Sequence, residues 1–251
     1  MTTPLLAELG RITEEAGRIA QHARLEMSRE LKSDGSIVTN GDRAVETFLR
    51  KELTNLVPGS TVWGEEFGKD PVGVAGRWAV DPIDGTSNFA FGSPLWGVAI
   101  GLVVGQDVTL GSANLPDLGE VYLCQLGSGV TRNGVALPAI PTGSVAPEEL
   151  VCVNESLVSR FSTRMWPGKL RNSGSAIIDG MFTVSQRFRG LMGLRENLYD
   201  LAPTILMGRE LGGDVRFADG EPIDLDHFGV EERIQKPWML FPRGAGYLWS
   251  E

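Results

Sequence analysis

Two aspartates, Asp81 and Asp84, stand three residues apart in the string WAVDPIDGTSNF, flanking Pro82 and Ile83, and the chain then runs into Gly85 and Thr86. Other acids end short apolar runs or precede them: Glu65 and Glu66 in GEEFG, and Asp200 ahead of LAPTIL. Carboxylates gathered in one place repel each other, so a fold that collects them needs a counter-ion. Hard divalent cations meet that need. Mg²⁺ takes oxygen ligands, keeps several waters and bridges substrate phosphates. A carboxylate placed like Asp81 can bridge two such ions roughly 4 Å apart, a spacing suited to in-line displacement at phosphorus. The amides of Gly85 and Thr86, at a turn entering a helix, would then receive phosphate oxygens.

Each signal also has a plain structural reading. Asp-Gly pairs mark turns in many proteins. Asp200 before an apolar periodic segment suits a helix N-cap, and Glu65 with Glu66 suits a solvated loop. His22 and His227 have no partner at ligand spacing and are expected at the surface. The residues alone leave both metal-dependent phosphate chemistry and a structural acidic turn open.

The elements that must carry these acids can be read from periodicity. Leu5, Leu6, Leu9, Ile12, Ala16, Ile19, Ala20 and Ala23 recur at helical spacing in the first thirty residues. LKSDGSIVTNGD reads as a loop, followed by a second helix through Val45, Phe48, Leu49 and Leu53 that ends at NLVPGS. TVWGEE and RWAVD read as short strands that stop at carboxylates. Leu95 to Arg132 is β-branched and punctuated by Gly, Asn and Asp, a run of hairpin strands. The Pro-, Gly- and Ser-rich segment 138–149 suits a hinge or long surface loop. Beyond it, ELVCVN reads as a strand, SGSAIIDGMFTVSQ as a helix, and DLAPTILMGRELGG as a helix stopped by a Gly pair. No repeat interrupts this order. The expectation is an α/β or α+β protein of one domain over 1–251, with a possible subdivision near 138–149.

Composition narrows the function classes. The 251 residues carry a net charge of −9, 42% hydrophobic and 22% charged residues, as in ordinary soluble domains. That charge argues against nucleic acid or an anionic membrane as partner. An anionic small molecule stays possible, because a bound cation inverts the local field. Cys124 and Cys152 lie far apart in apolar runs and read as reduced core thiols of a cytoplasmic protein. The acidic N-terminal stretch does not read as a signal peptide, and no run approaches a membrane span.

DPIDGTSNF, lying after GEEFG and before NLYDLAPTILMGRELGG, resembles the inositol monophosphatase family of Mg²⁺-dependent, lithium-sensitive phosphatases. The resemblance extends through LKSDGSIVTNGDRAVETFL, RNGVALP and NSGSAIIDG, in the family's order over most of the chain. It implies a layered αβαβα sandwich of the inositol monophosphatase and fructose-1,6-bisphosphatase type, commonly a homodimer, with two to three Mg²⁺ per active site. Carried over by position, Glu65, Asp81, Asp84, Asp200 and the Ile83 carbonyl would ligate metal. Thr86 and Asp42 would orient and deprotonate the attacking water, and Lys32 would lie beside the outer metal. Gly85 and Thr86 amides would hold the phosphate, and Gly174 and Ser175 would face the organic part. The substrate would be a small phosphate monoester of an inositol, sugar or amino alcohol. Histidinol phosphate, fructose bisphosphate and adenosine bisphosphate are also substrates within the family. A non-catalytic interaction protein is the rival from another class, and retention of every metal-site acid argues against it.

Haloacid-dehalogenase-like phosphatases also end a strand with Asp and Gly-Thr, but with their aspartates two apart, and the first attacks phosphorus. Here the separation is three, so attack by metal-activated water is expected. Two positions depart from the family pattern. Tyr199 stands where Trp is usual, and Gly193 stands where an acid contacts substrate hydroxyls, with Glu196 the nearby acid that would stand in for it. Arg187, Arg189 and Arg195 add positive charge to this segment, as a solvated strand face, a dimer contact or a site for a second anionic group. The metal site reads as intact and the substrate pocket as altered.

Overall fold

The computed structural model describes residues 3–33, 35–158, 167–223, 225 and 233–245, so His227 lies outside the described residues. Thr3 caps α1 (Pro4–Leu25), its side chain accepting from the Leu6 amide, and Pro4 opens the first turn, where its missing N–H costs nothing. The stretch expected as a loop contains a small hairpin, β1 (Arg29–Leu31) and β2 (Ile37–Thr39), before α2 (Asn40–Leu56). All three β1 residues are exposed, so no apolar alternation marks that strand in the sequence.

The larger sheet takes β3 (Thr61–Gly64), β4 (Gly68–Lys69) and β5 (Arg77–Asp84). After α3 (Thr86–Ala90) come β6 (Gly97–Val104), β7 (Asp107–Leu115), β8 (Glu120–Gln125), β9 (Val130–Arg132) and β10 (Val135–Ala136). Its spatial order is β10-β9-β8-β7-β6-β5-β3-β4; β6 through β9 form the hairpin run expected over Leu95–Arg132, and β5 and β10 extend that antiparallel meander at its two ends. The smaller sheet takes β11 (Leu150–Val153), β12 (Lys169–Arg171), β13 (Gly190–Gly193), β14 (Asp214–Phe217) and β15 (Trp238–Phe241), in the order β12-β11-β13-β15-β14. Its chain segments are joined through α4 (Glu155–Val158), α5 (Ala176–Val184) and α6 (Leu198–Glu210).

Alternation along the strands creates the layers. Trp78, Val80, Val98 and Ile100 face α1 and α2 in one buried cluster, with Leu9, Ile12 and Leu49. Their neighbours Ala79 and Ala99 face the other way, into a cluster with Ile178, Ile205 and Leu206 of α5 and α6. The smaller sheet closes that second core. Its outer face buries Val151, Val153, Met192 and Phe241 under Leu157 of α4. The architecture is thus the layered αβαβα sandwich, whose outermost helical layer among the described residues is the short α4.

Small residues on β6 and β7 let α6 sit close to the larger sheet. A Cβ on Gly101 would stand 2.5 Å from that of Ala202, closer than packing allows. This contact brings the N-terminus of α6 beside the end of β5. Segment 138–149 joins the two sheets. The Ile140 amide donates to Leu211 O, and the Arg189 guanidinium donates to the carbonyls of Pro141 and Thr142. Both cysteines are buried and unbridged. No helix among the described residues is long and apolar enough to cross a membrane.

Candidate active site

In a regular strand, residues three apart face opposite sides. Asp81 pairs with Ala99 and Asp84 with Gly97, so β5 spends one extra residue between them, a bulge. Pro82 has no amide to lose from the ladder there. The bulge turns both aspartates towards one cleft of about 330 Å³, which Glu65, Ile83, Gly85, Thr86, Gly174, Ser175 and Asp200 also line. Gly85 then takes φ +85°, a left-handed conformation, and a Cβ there would press on Leu95 O and on Ser175 at 3.0 Å.

Every expected metal-ligating acid uses one oxygen for a donor of the protein. Asp81 Oδ1 accepts from the Ile83 amide at 3.0 Å, and Glu65 Oε1 from Lys32 Nζ at 3.0 Å. Asp84 Oδ2 accepts from the Ser175 hydroxyl at 2.6 Å and the Ile177 amide at 2.5 Å, at the start of α5. Asp200 is the third residue of α6, not its cap. Its Oδ2 accepts from the amide of the cap, Asn197, at 2.7 Å in a capping box. The second oxygen of each acid has no hydrogen-bond donor among the described residues. As they stand, no three Asp, Glu, His or Cys side chains among the described residues converge on one point at ligating distance. The four acids line the cleft together.

Burial dominates the electrostatics. It pushes Asp81 well above the ordinary carboxylate pKa, with the charges of Glu65 and Asp84 adding to it. Asp200 is raised well above by burial and then by Asp84. Asp84 is raised to about 6 by burial, with its donors in α5 opposing. Burial works against the charge of Lys32, but its contacts with Glu66, at 2.6 Å, and Glu65 hold the ammonium above its usual pKa. Burial raises Glu66 to about 7.

Asp42 belongs to the capping box of α2. Its Oδ2 accepts from the Thr39 amide at 2.8 Å and hydroxyl at 2.6 Å, and burial raises its pKa to about 6. Its other oxygen lies 3.4 Å from Thr86 Oγ1, which also lies 3.0 Å from Ile83 O. The sequence-expected pair, forty-four residues apart, is therefore in contact. Ser175 lines the cleft as expected, but its hydroxyl is spent on Asp84 and on capping α5, so that group orients an acid. Gly174, at φ +77°, lies against Asn88.

The opposite wall comes from β11, α5 and the turn between β13 and α6. Glu196 accepts from Asn154 Nδ2 at 2.8 Å and from Trp238 Nε1 at 2.5 Å. A Cβ on Gly193 would overlap the Glu196 carboxylate and stand 2.6 Å from Trp238 Nε1. Gly193 is thus where Glu196 fits. Burial, then the charge of Asp179, pushes Glu196 up to about 8. Asp179, from α5, also lines the cleft. Arg187 pairs with Glu120 and Arg189 with Glu149, away from the cleft, whereas Arg195 lines it beside Arg233. Asn154, Arg233 and Trp238 carried no signal in the sequence. The traces of this wall were the glycine at 193 with an acid at 196, Arg195, and the string NSGSAIIDG that holds Asp179.

A profile of the inositol monophosphatase family matches residues 4–250. Among individual proteins, the chain is 38% identical over 148 residues to a histidinol-phosphatase of Chlorobaculum parvum, a match that takes in 57% of each protein. It is 30% identical over 213 residues to an inositol-1-monophosphatase of Synechocystis sp., covering 80% of this chain and 74% of that one. In fold, it is similar to the extragenic suppressor protein suhB of Bartonella henselae, with a TM-score of 0.82 at 22% identity over 96% of this chain and 94% of that one.

Proposed function

The chain belongs to the inositol monophosphatase family and is a phosphomonoesterase of that family, and on that premise we propose that it is a Mg²⁺-dependent hydrolase of a small inositol, sugar or amino-alcohol phosphate monoester, using metal-activated water, and that myo-inositol 1-phosphate is not its best substrate. The observation that carries this reading is the bulge in β5. It turns Asp81 and Asp84 to one cleft, where Glu65, Asp200 and the Thr86–Asp42 pair meet them.

The donor set fits a hard cation. It is all oxygen, four carboxylates and the Ile83 carbonyl, with no His or Cys lining the cleft among the described residues, where each acid also keeps one oxygen without a protein donor. Glu65, Asp81, Asp84, Asp200 and Ile83 O would hold two to three Mg²⁺. When bound, Mg²⁺ supplies Lewis acidity at the phosphate and lowers the pKa of its water. Lithium sensitivity belongs to the same reading. So does a homodimer, which sedimentation would test.

The chain's own residues do the rest. Thr86 gives its hydrogen to Asp42 and turns a lone pair to the water, so the water's proton reaches Asp42 through Thr86. Asp42, its proton affinity raised by burial, suits that task. Gly85 and Thr86 amides orient the phosphate, and Lys32 steadies Glu65 and Glu66. Water attacks phosphorus, the ester P–O bond breaks, the alkoxide leaves and takes a proton from solvent, and Asp42 returns to solvent the proton it received. No enzyme carboxylate bonds to phosphorus.

For the substrate, Gly193 gives its place to a carboxylate from a different position, Glu196, held by Asn154 and Trp238, and the relative at 38% identity carries the name histidinol-phosphatase. Phosphate release should be measured with and without Mg²⁺ from myo-inositol 1-phosphate, histidinol phosphate, fructose 1,6-bisphosphate and sugar phosphates. We expect Mg²⁺-dependent release, with inositol phosphate outrun by another ester. Release independent of metal would overturn the mechanism, and a tenfold preference for inositol phosphate would overturn the altered pocket.

A further inference from the structure

The wall opposite the metal-site acids holds two carboxylates that the hydrolytic chemistry leaves unused. Glu196 is fixed by two neutral donors, Asn154 Nδ2 and Trp238 Nε1, one to each oxygen. Gly193 leaves the space its carboxylate occupies. Asp179 is 6% exposed, lines the same cleft, and its Oδ1 has no hydrogen-bond partner. Neither acid has a cationic partner among the described residues: Arg195 and Arg233 stand exposed in the lining and pair with neither.

We propose that Glu196, seconded by Asp179, forms a cation-accepting subsite for the organic half of the substrate, so that the preferred ester carries an ammonium group on its alcohol. This rests on the phosphomonoesterase reading and narrows its substrate to amino-alcohol phosphates. A buried carboxylate supplied only with neutral donors is costly in its charged form, and an incoming cation removes that cost. A polyol would bring hydroxyl donors but no countercharge. The preset position of Glu196 favours one location for the amine, since neither of its oxygens must be reoriented on binding. The cleft then divides by charge. Cations of the metal site meet the phosphate, and acids of the opposite wall meet the amine.

The test compares kcat/KM for L-histidinol phosphate, its deamino analogue, myo-inositol 1-phosphate and fructose 1,6-bisphosphate, in the wild type, Glu196→Gln and Asp179→Asn. The wild type should prefer the amine over the deamino analogue by about 10- to 100-fold, as for a hydrogen bond to a charged group. In Glu196→Gln that ratio should collapse towards one, chiefly through KM, and in Asp179→Asn it should fall part of the way. A wild-type ratio near one, or a ratio untouched by Glu196→Gln, overturns the subsite. So does fructose 1,6-bisphosphate as best substrate, which would give the cleft to Arg195 and Arg233. If Glu196→Gln proves unfolded by its melting curve, the wild-type ratio and Asp179→Asn decide. Mg²⁺-dependent release without amine discrimination overturns the subsite alone. No release from any of these esters or from 4-nitrophenyl phosphate overturns the hydrolase reading, and the subsite with it.

Discussion

The two walls of the cleft differ in how they hold Glu65, Asp81, Asp84 and Asp200 on one side and Glu196 on the other. On the wall built by β5, α2 and the start of α6, Asp81, Asp84, Asp200 and Glu65 each keep an oxygen without a donor among the described residues. On the wall built by β11, α5 and the turn between β13 and α6, Glu196 has both oxygens supplied by neutral donors, while Asp179 keeps Oδ1 without a partner among the described residues. The first arrangement is unstable as a set of charges and becomes favourable when a divalent cation arrives. The second is rigid before any ligand binds and selects by shape and charge. An acid cluster left electrostatically frustrated reads as a place for a metal. A single acid held in a glycine's space reads as a place for recognition.

The comparison breaks most visibly at Asp81. Asp81→Asn removes the proposed bridging ligand, and with it several kcal/mol of charge stabilisation, so turnover should fall about 10³-fold or more. The metal-free variant should melt no lower than the wild type, because a repelled charge has gone. Near wild-type Mg²⁺-dependent activity would remove Asp81 from the metal site. Thr86→Ala should cost roughly 10²- to 10⁴-fold in kcat, the range for lost general-base help. A change of only a few-fold would reduce Thr86 to the first residue of α3.

pH tests the metal-site wall through stability. In the folded chain Asp84 holds its proton to about 6 against an ordinary value of 3.8. The folded state binds that proton more tightly than the unfolded chain. The stability from this group is therefore full below the ordinary value and is lost as pH rises through about 6. The melting temperature of metal-free protein should carry that downward component, Asp84→Asn should flatten it, and Mg²⁺ should offset it above pH 6. A Mg²⁺ shift that is equal at acid and neutral pH would uncouple the metal from these acids.

The smallest effect belongs to the recognition wall. Gly193→Ala should cost about 1–3 kcal/mol in urea unfolding, from overpacking against Glu196 and Trp238. In a Glu196→Ala background part of that cost should disappear. Full additivity of the two changes would separate Gly193 from the placement of Glu196.

How much could be read in advance follows the same division. The helices and the antiparallel run were legible because residues of one face recur at 3.6 or at two, as at Leu9, Ile12 and Ala16 or at Val98 and Ile100. The hairpin at Arg29–Leu31 was not, since its residues are all exposed and show no pattern.

The sequence by itself determined the acid inventory, the Asp-Pro-Ile-Asp-Gly-Thr turn and the order of the main helices and the antiparallel run. Those depend on local conformational rules and on residues adjacent in the chain. Only the tertiary structure decided that the extra residue in β5 turns Asp81 and Asp84 to the same side. It also decided that Ser175 serves Asp84, and that Asn154, Asp179 and Trp238 gather around or beside Glu196. These contacts join residues up to ninety-one positions apart. Strand register and helix-to-sheet approach set them, through glycines such as Gly101 and Gly193 that leave room, and a missing side chain has no periodicity to read.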